Sequence, residues 1–170
     1  ILIITEGTHI RVLKVDSENA STISSSNPEE TARIAQEARA REVLTAKTEI
    51  SNILASGKPL TTVQLQKAGI AGVTSKNVDL INAEMAKLPS DKKIDISVVE
   101  KVVFKYATVD KIADHGSIAS ADLISVGLIP QDSKNKTAIL MELKKSSTDS
   151  IDTYEEIQAV VAAVEKRLAD

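Results

Sequence analysis

The sequence contains no cysteine, which excludes disulfide bonds, thiolate nucleophiles and zinc sites built on cysteine. Aromatic residues make up only 2% of the 170 residues, and there is no tryptophan. Stacking surfaces for nucleic-acid bases depend on aromatic faces, so this class of binding protein is disfavoured. A core must instead be built from isoleucine, leucine, valine and alanine, which suits closely packed helices.

The sequence also lacks an excess of charge of one sign and a long apolar run. Its 21 basic and 24 acidic residues give a formal net charge of −3, without the concentrated basic character that nucleic-acid binding normally needs. No apolar run approaches the roughly 20 residues of a membrane-spanning helix. We therefore expect neither a nucleic-acid partner nor a membrane span. Because the first residue is Ile1 rather than methionine, we expect a processed product or a fragment of a longer protein.

The N-terminal residues differ in composition from the rest of the chain. Residues 1–15 are rich in isoleucine and valine and predict a β-strand or hairpin, whereas residues 16–28 are serine-rich and predict a flexible linker. An isolated hairpin is marginally stable in water, so we expect this segment to pair with further sheet, in an upstream domain or in another subunit. The candidate assembly strand consists of Ile1, Ile3, Ile10, Val12 and Leu13.

The remainder of the chain contains a diverged internal repeat of about 58 residues. Shifting the sequence by that length aligns, without a gap, Leu65 with Leu123, Gly69 with Gly127, Ser75-Lys76-Asn77 with Ser133-Lys134-Asn135, and Val102-Val103 with Val160-Val161. The pattern predicts a mainly α fold of two consecutive small helical bundles that share a central helix, together with the N-terminal strand arm. The predicted domains are repeat 1 over 29–96, repeat 2 over 97–152 and a closing helix over 153–170.

Each repeat is predicted to contain a long, a short and a medium helix. The predicted helices cover 29–56, 61–68 and 75–88, then 97–114, 119–126 and 133–146, and finally 153–169. Capping boxes are predicted at Ser97 with Glu100 and at Thr153 with Glu156, and left-handed C-terminal caps at Gly69 and Gly127. The helix over 97–114 has a wide apolar stripe, which is typical of a helix that packs on both sides.

Polar clusters in the sequence match no catalytic or metal-binding pattern. Asp110, Asp114 and His115 lie near a helix end, where solvation or a contact with the helix dipole is the better interpretation, with Gly116 as the cap. His9 has no identifiable partner acid or nucleophile. The loop acids Asp91, Asp95, Asp149 and Asp152 lack the ligand series of a calcium loop and are interpreted as helix caps. We expect no enzyme activity, no cofactor and no metal.

Two segments resemble a recurring unit of long, repetitive secreted or surface proteins of bacteria, either adhesin-like or surface-layer-like. They are PLTTVQLQKAGIAGVTSKNVDLINAEMAKL over 59–88 and SIDTYEEIQAVVAAV over 150–164. The second repeat departs from the pattern, with Pro130-Gln131-Asp132 in place of Gly72-Val73-Thr74, so we expect a different loop there. The resemblance implies an extracellular or cell-surface packing unit, and it transfers no catalytic residue.

Three functional hypotheses follow from these observations. The first is a non-enzymatic structural or interaction protein, a bacterial surface or filament-forming module that contacts other copies of itself or another surface protein. The second is a monomeric helical recognition module that binds a host or partner protein. The third is an accessory region of an enzyme whose catalytic domain lies outside this chain.

Overall fold

The computed structural model describes residues 2–6, 9–13 and 28–169. Eight α-helices lie within these residues, so the prediction of a mainly α protein is confirmed. The chain divides into two compact units, whose boundary lies between Arg41 and Glu42. The predicted linker over 16–28 falls, apart from Pro28, outside the described residues.

The two strands of the N-terminal unit pair with each other. Strand β1 covers Leu2–Glu6 and strand β2 covers His9–Leu13, in an antiparallel register that places Leu2 opposite Leu13 and Glu6 opposite His9. Of the candidate assembly residues, Ile1 lies outside the described part of the chain. The backbones of Ile3, Ile10, Val12 and Leu13 lie in this pair of strands, but its role in assembly stays a prediction.

Helix α1 extends from Pro28 to Ala55 and changes character along its length. Its first turn contains proline, Glu29 and Glu30, which suit the positive end of the helix dipole. Residues 28–42 are exposed on every side, and Arg33 forms ion pairs with glutamates in the adjacent turns that support an exposed helix. Only the second half is amphipathic, and it buries Ala46, Ile50 and Leu54.

The other helices alternate between short and long elements. Their bounds are α2 Thr62–Lys67, α3 Val78–Lys87, α4 Ser90–Lys93, α5 Ile96–Ala113, α6 Ser120–Ser125, α7 Lys136–Lys145, a 3₁₀ turn Thr148–Ser150, and α8 Tyr154–Ala169. Helices α3 and α7 begin three residues later than predicted. The delay before α3 arises because Asn77 and Thr74 bond each other's backbone N–H groups and form a turn instead.

Two hydrophobic clusters fill the helical part, and α5 contributes to both. The first cluster consists of Ala46, Ile50, Leu54, Leu60, Leu65, Ala68, Ile70, Val73, Ile81, Met85, Val99, Val102 and Val103. The second consists of Val109, Ile112, Leu123, Leu128, Ile129, Ile139, Leu143, Ile151, Ile157, Val161 and Val164. The N-terminal part of α5 thus packs in one core and its C-terminal part in the other, which accounts for its wide apolar stripe.

One of the two predicted capping boxes is confirmed and the other is wrong. At α8, the Glu156 carboxylate accepts the Thr153 N–H at 3.1 Å, and the Thr153 hydroxyl accepts the Glu156 N–H at 3.2 Å. Helix α5, by contrast, begins at Ile96, because Asp95 caps it by accepting the Ser97 N–H at 2.9 Å. The Asp95 carboxylate is a stronger acceptor than the hydroxyl of Ser97, the predicted cap, and lies two residues upstream of it.

The ends of the helices show a further difference from the prediction. Gly69 and Gly127 have φ of 74° and 76°, so both predicted left-handed caps are confirmed. After α5, however, the left-handed residue is His115, with φ of 53°, and not Gly116. Gly116 packs instead against the last turn of α5, where its N–H donates to the Lys111 carbonyl at 2.8 Å.

Candidate functional site

The acidic residues at the end of α5 lie near one another, and their carboxylates bond side chains of the loop before α3. The Asp110 carboxylate accepts hydrogen bonds from the Asn77 amide at 2.8 Å and from the Thr74 hydroxyl at 3.2 Å, and Asp114 forms an exposed ion pair with Lys76. His115 Nε2 lies 3.5 Å from the Thr148 hydroxyl. Within the described ranges, no three potential metal-ligating side chains come together.

Asn77 is the most completely buried polar residue of the helical part, and its hydrogen bonds are satisfied. Its amide donates to the Gly72 carbonyl at 2.9 Å and to Asp110, while its side-chain oxygen accepts the Thr74 N–H at 2.9 Å. A buried amide with these bonds fixes the loop before α3 onto α5. Asn135 has the corresponding place before α7, where it and Ser133 both donate to Glu165 of α8.

A second polar cluster joins α3, α5 and α8. The Glu84 carboxylate accepts hydrogen bonds from the Tyr106 hydroxyl and from Lys105 Nζ, both at 2.8 Å. Lys105 Nζ also lies 4.2 Å from the centre of the Tyr154 ring, in a cation–π contact. Burial raises the pKa of Tyr106 well above its ordinary value, and the hydrogen bond to Glu84 raises this pKa further. Tyr106 therefore remains a protonated donor. The cluster holds α5 against α3 and α8.

Of the four loop acids, only Asp95 caps a helix. Asp91 and Asp149 lie inside α4 and the 3₁₀ turn, and Asp152 directly precedes the residue that caps α8. Hydrogen bonds from the Ser97 hydroxyl and N–H lower the pKa of Asp95, in agreement with its place at the start of α5. Near α8, a hydrogen bond shared between Asp152 and Glu156 raises the pKa of Asp152 and lowers that of Glu156. The predicted capping role is therefore confirmed for Asp95 and wrong for the other three acids, because a neighbouring residue occupies the N-cap position in each case.

One cleft beside the first hydrophobic cluster was not predicted from the sequence. It encloses about 160 Å³ and is lined by Leu54, Gly57, Lys58, Pro59, Asn82, Met85, Ala86 and Lys93. Small-molecule and cofactor sites usually enclose about 300–1,000 Å³, so this cleft has room for little more than one side chain. The Asn82 amide is already bonded to the Leu60 backbone at 2.8 and 2.9 Å. The lining is therefore mainly apolar, with Lys58 and Lys93 as its charged residues.

Comparison with protein-family models, with curated proteins and with solved structures finds no match. Over residues 28–169, none of the helices is long and apolar enough to cross a membrane.

Proposed function

We propose that this chain is a non-enzymatic scaffold of a bacterial surface or filament-forming protein, in which two copies of one helical module share α5. The observation that carries the proposal is the spacing of the helix bounds. Helix α6 begins and ends 58 residues after α2, α7 begins and ends 58 residues after α3, and α5 ends 58 residues after α1. A residue with positive φ also follows each of these long helices at the same spacing, Gly57 after α1 and His115 after α5.

The same spacing relates the residues that fill the two cores. Each of four pairs is fully buried at both positions: Leu65 and Leu123, Ile81 and Ile139, Met85 and Leu143, Val99 and Ile157. Fully buried side chains contribute most to packing, so agreement at these positions supports one module used twice. The buried polar groups described above are engaged in holding loops and helices together, which also favours a scaffold over an enzyme.

Assembly with other copies, or with another surface protein, is proposed to use helical packing and strand exchange through residues 1–15. A two-stranded sheet has two edges whose N–H and C=O groups can pair with a strand of another chain. An extracellular or cell-surface location is proposed from the resemblance of residues 59–88 and 150–164 to bacterial surface repeats.

Deletion of residues 1–15 tests the proposed assembly. Sedimentation velocity of the intact chain should show species larger than a monomer, and the deletion should reduce them to a monomer. Helical circular dichroism should remain nearly unchanged, because the cores lie within residues 46–164. Assembly that persists after the deletion would rule out the strand as its route.

The alternative is a monomeric helical recognition module. Large apolar side chains exposed on helices favour it, since such residues often mark a binding surface: Leu44, Val63, Leu80, Phe104 and Met141. This hypothesis predicts a monomer at all concentrations that captures a specific partner, whereas the scaffold predicts self-association without one.

A further inference from the structure

The cleft on the first bundle corresponds to a filled position on the second. Under the 58-residue spacing, Leu54 corresponds to Ile112, Met85 to Leu143 and Lys93 to Ile151. Ile151 is 0% exposed and belongs to the same hydrophobic cluster as Ile112 and Leu143. Ile151 thus packs into the second core, whereas Lys93, at the corresponding position, borders the cleft beside the first core.

The first bundle presents no aliphatic side chain at this position. Lys93 is half-buried, and the isoleucine that follows it, Ile94, is 45% exposed. The two segments are also attached differently. The Ser51 hydroxyl donates to the Ile94 carbonyl at 2.9 Å, whereas in the second bundle Thr148 donates to the carbonyl of Ala113 at 3.2 Å. The cleft of about 160 Å³ therefore lies where an aliphatic side chain would complete the first core, and neither Lys93 nor Ile94 supplies one.

We propose that this cleft binds a short peptide segment of a partner protein, which inserts one branched aliphatic side chain flanked by carboxylates. The second bundle supplies the template, because Ile151 lies between Asp149 and Asp152 in its sequence. Lys58 and Lys93 line the cleft and complement such a segment in charge. Leu54, Pro59, Met85 and Ala86 supply the apolar lining, of which Pro59 and Ala86 are exposed.

The inference rests on the proposed correspondence of the two modules, which the Lys93→Ile variant tests separately. If the modules correspond, the new isoleucine packs into the cleft as Ile151 does, and the thermal midpoint of the full chain rises. The matched control is Lys92→Ile, at an exposed position that does not line the cleft, which should leave the midpoint nearly unchanged. A midpoint that does not rise in Lys93→Ile counts against the correspondence, and so against the proposed function.

Binding is measured by methyl NMR of the full chain titrated with a synthetic peptide of residues 148–153. We expect saturable shifts of the Leu54 and Met85 methyl groups, with a Kd on the order of 1 mM because one side chain is buried. A peptide with Ile151→Ala should bind at least about tenfold more weakly. Replacement of both aspartates by asparagine should also weaken binding and reduce its dependence on salt.

Two tryptophan variants of α3 locate the peptide. Ala86 is exposed and lines the cleft, so Ala86→Trp should block binding, whereas Ala83→Trp, on an exposed part of the same helix, should not. Absence of shifts, equal shifts with the alanine peptide, or shifts centred on another surface or on a contact between copies would each overturn the inference. If Lys93→Ile is stabilised but the peptide does not bind, the inference fails and the scaffold proposal stands.

Discussion

At the residue scale, Gly72 and Pro130 show where the two proposed modules diverge. Gly72 has φ of 88°, a conformation that proline cannot adopt, so the expectation of a different loop at Pro130 is confirmed. The first core uses Val73 after this glycine, while the second uses Ile129 before the proline. The divergence is predictable from the sequence because glycine readily adopts a positive φ, whereas the proline ring fixes φ at a negative value.

Gly72 should be among the positions beside the first core that tolerate substitution least. A Cβ added there would lie 2.6 Å from Ala107 Cβ on α5, and the positive φ adds strain. We expect Gly72→Ala to reduce the free energy of unfolding by about 2–4 kcal/mol in urea denaturation. The matched control is Gly57→Ala, where φ is 70° but nothing lies within 4 Å of the new Cβ, and the expected loss is about 1 kcal/mol. Equal losses would show that the contact with Ala107 is unimportant.

Tyr106 should make stability depend on pH in the alkaline range. Because its pKa is raised in the folded state, its contribution is fully present below the unfolded pKa of about 10 and is lost as the pH rises above it. The free energy of unfolding should therefore fall more steeply above that pH in the natural protein than in Tyr106→Phe. Near neutral pH, Tyr106→Phe should cost about 1 kcal/mol through the lost bond to Glu84. Parallel pH profiles would contradict this account.

At the scale of elements, the type and order of the long helices were predictable, but the short connections were not. Periodicity and capping signals identify helices such as α1 and α8, whose bounds agree with the predictions to within one residue. Helix α4 and the 3₁₀ turn are too short to show a period. The predicted cap of α5 is wrong, because Ser97-x-x-Glu100 fits the capping pattern while Asp95 competes for the same helix end.

The caps of α2 and α6 allow a stabilising substitution to be predicted. Thr61 caps α2 in a box with Gln64, and Ala119 occupies the same place before α6 with nearly the same backbone, φ −100° and ψ 157° against −102° and 157°. Asp122 already accepts the Ala119 N–H at 3.0 Å. Ala119→Thr should complete the box and add about 0.5–1 kcal/mol to the free energy of unfolding. Ala121→Thr, inside α6, is the control and should add nothing, because threonine disfavours a helix interior.

At the scale of the molecule, the shared helix α5 should couple the two cores. Leu65→Ala creates a cavity in the first core and should cost about 2–5 kcal/mol. Because the same helix closes both cores, hydrogen exchange in α7 should accelerate together with exchange in α3. Exchange in α7 that is unchanged by the substitution would mean that the two cores unfold independently.

The proposed functional surfaces are less predictable from the sequence than the fold. The cleft beside Met85 is not predictable from the sequence. Its only signal is that Ile94 lies one position away from the residue that corresponds to Ile151, and an ungapped alignment presents this shift as a simple mismatch. The replacement of a core isoleucine, Ile151, by Lys93 gains meaning only from the structure, which shows that Leu54 and Met85 line the same cleft as this lysine. Assembly through residues 1–15 stays a prediction, because association depends on a second chain.

The most direct measurement is sedimentation velocity of the purified intact chain over a wide concentration range, with electron microscopy of the same samples. The scaffold account predicts reversible growth beyond the monomer without any added partner, visible as a filament or lattice. A chain that remains a monomer at every concentration, and that binds a specific partner, would contradict the account and establish the recognition module in its place.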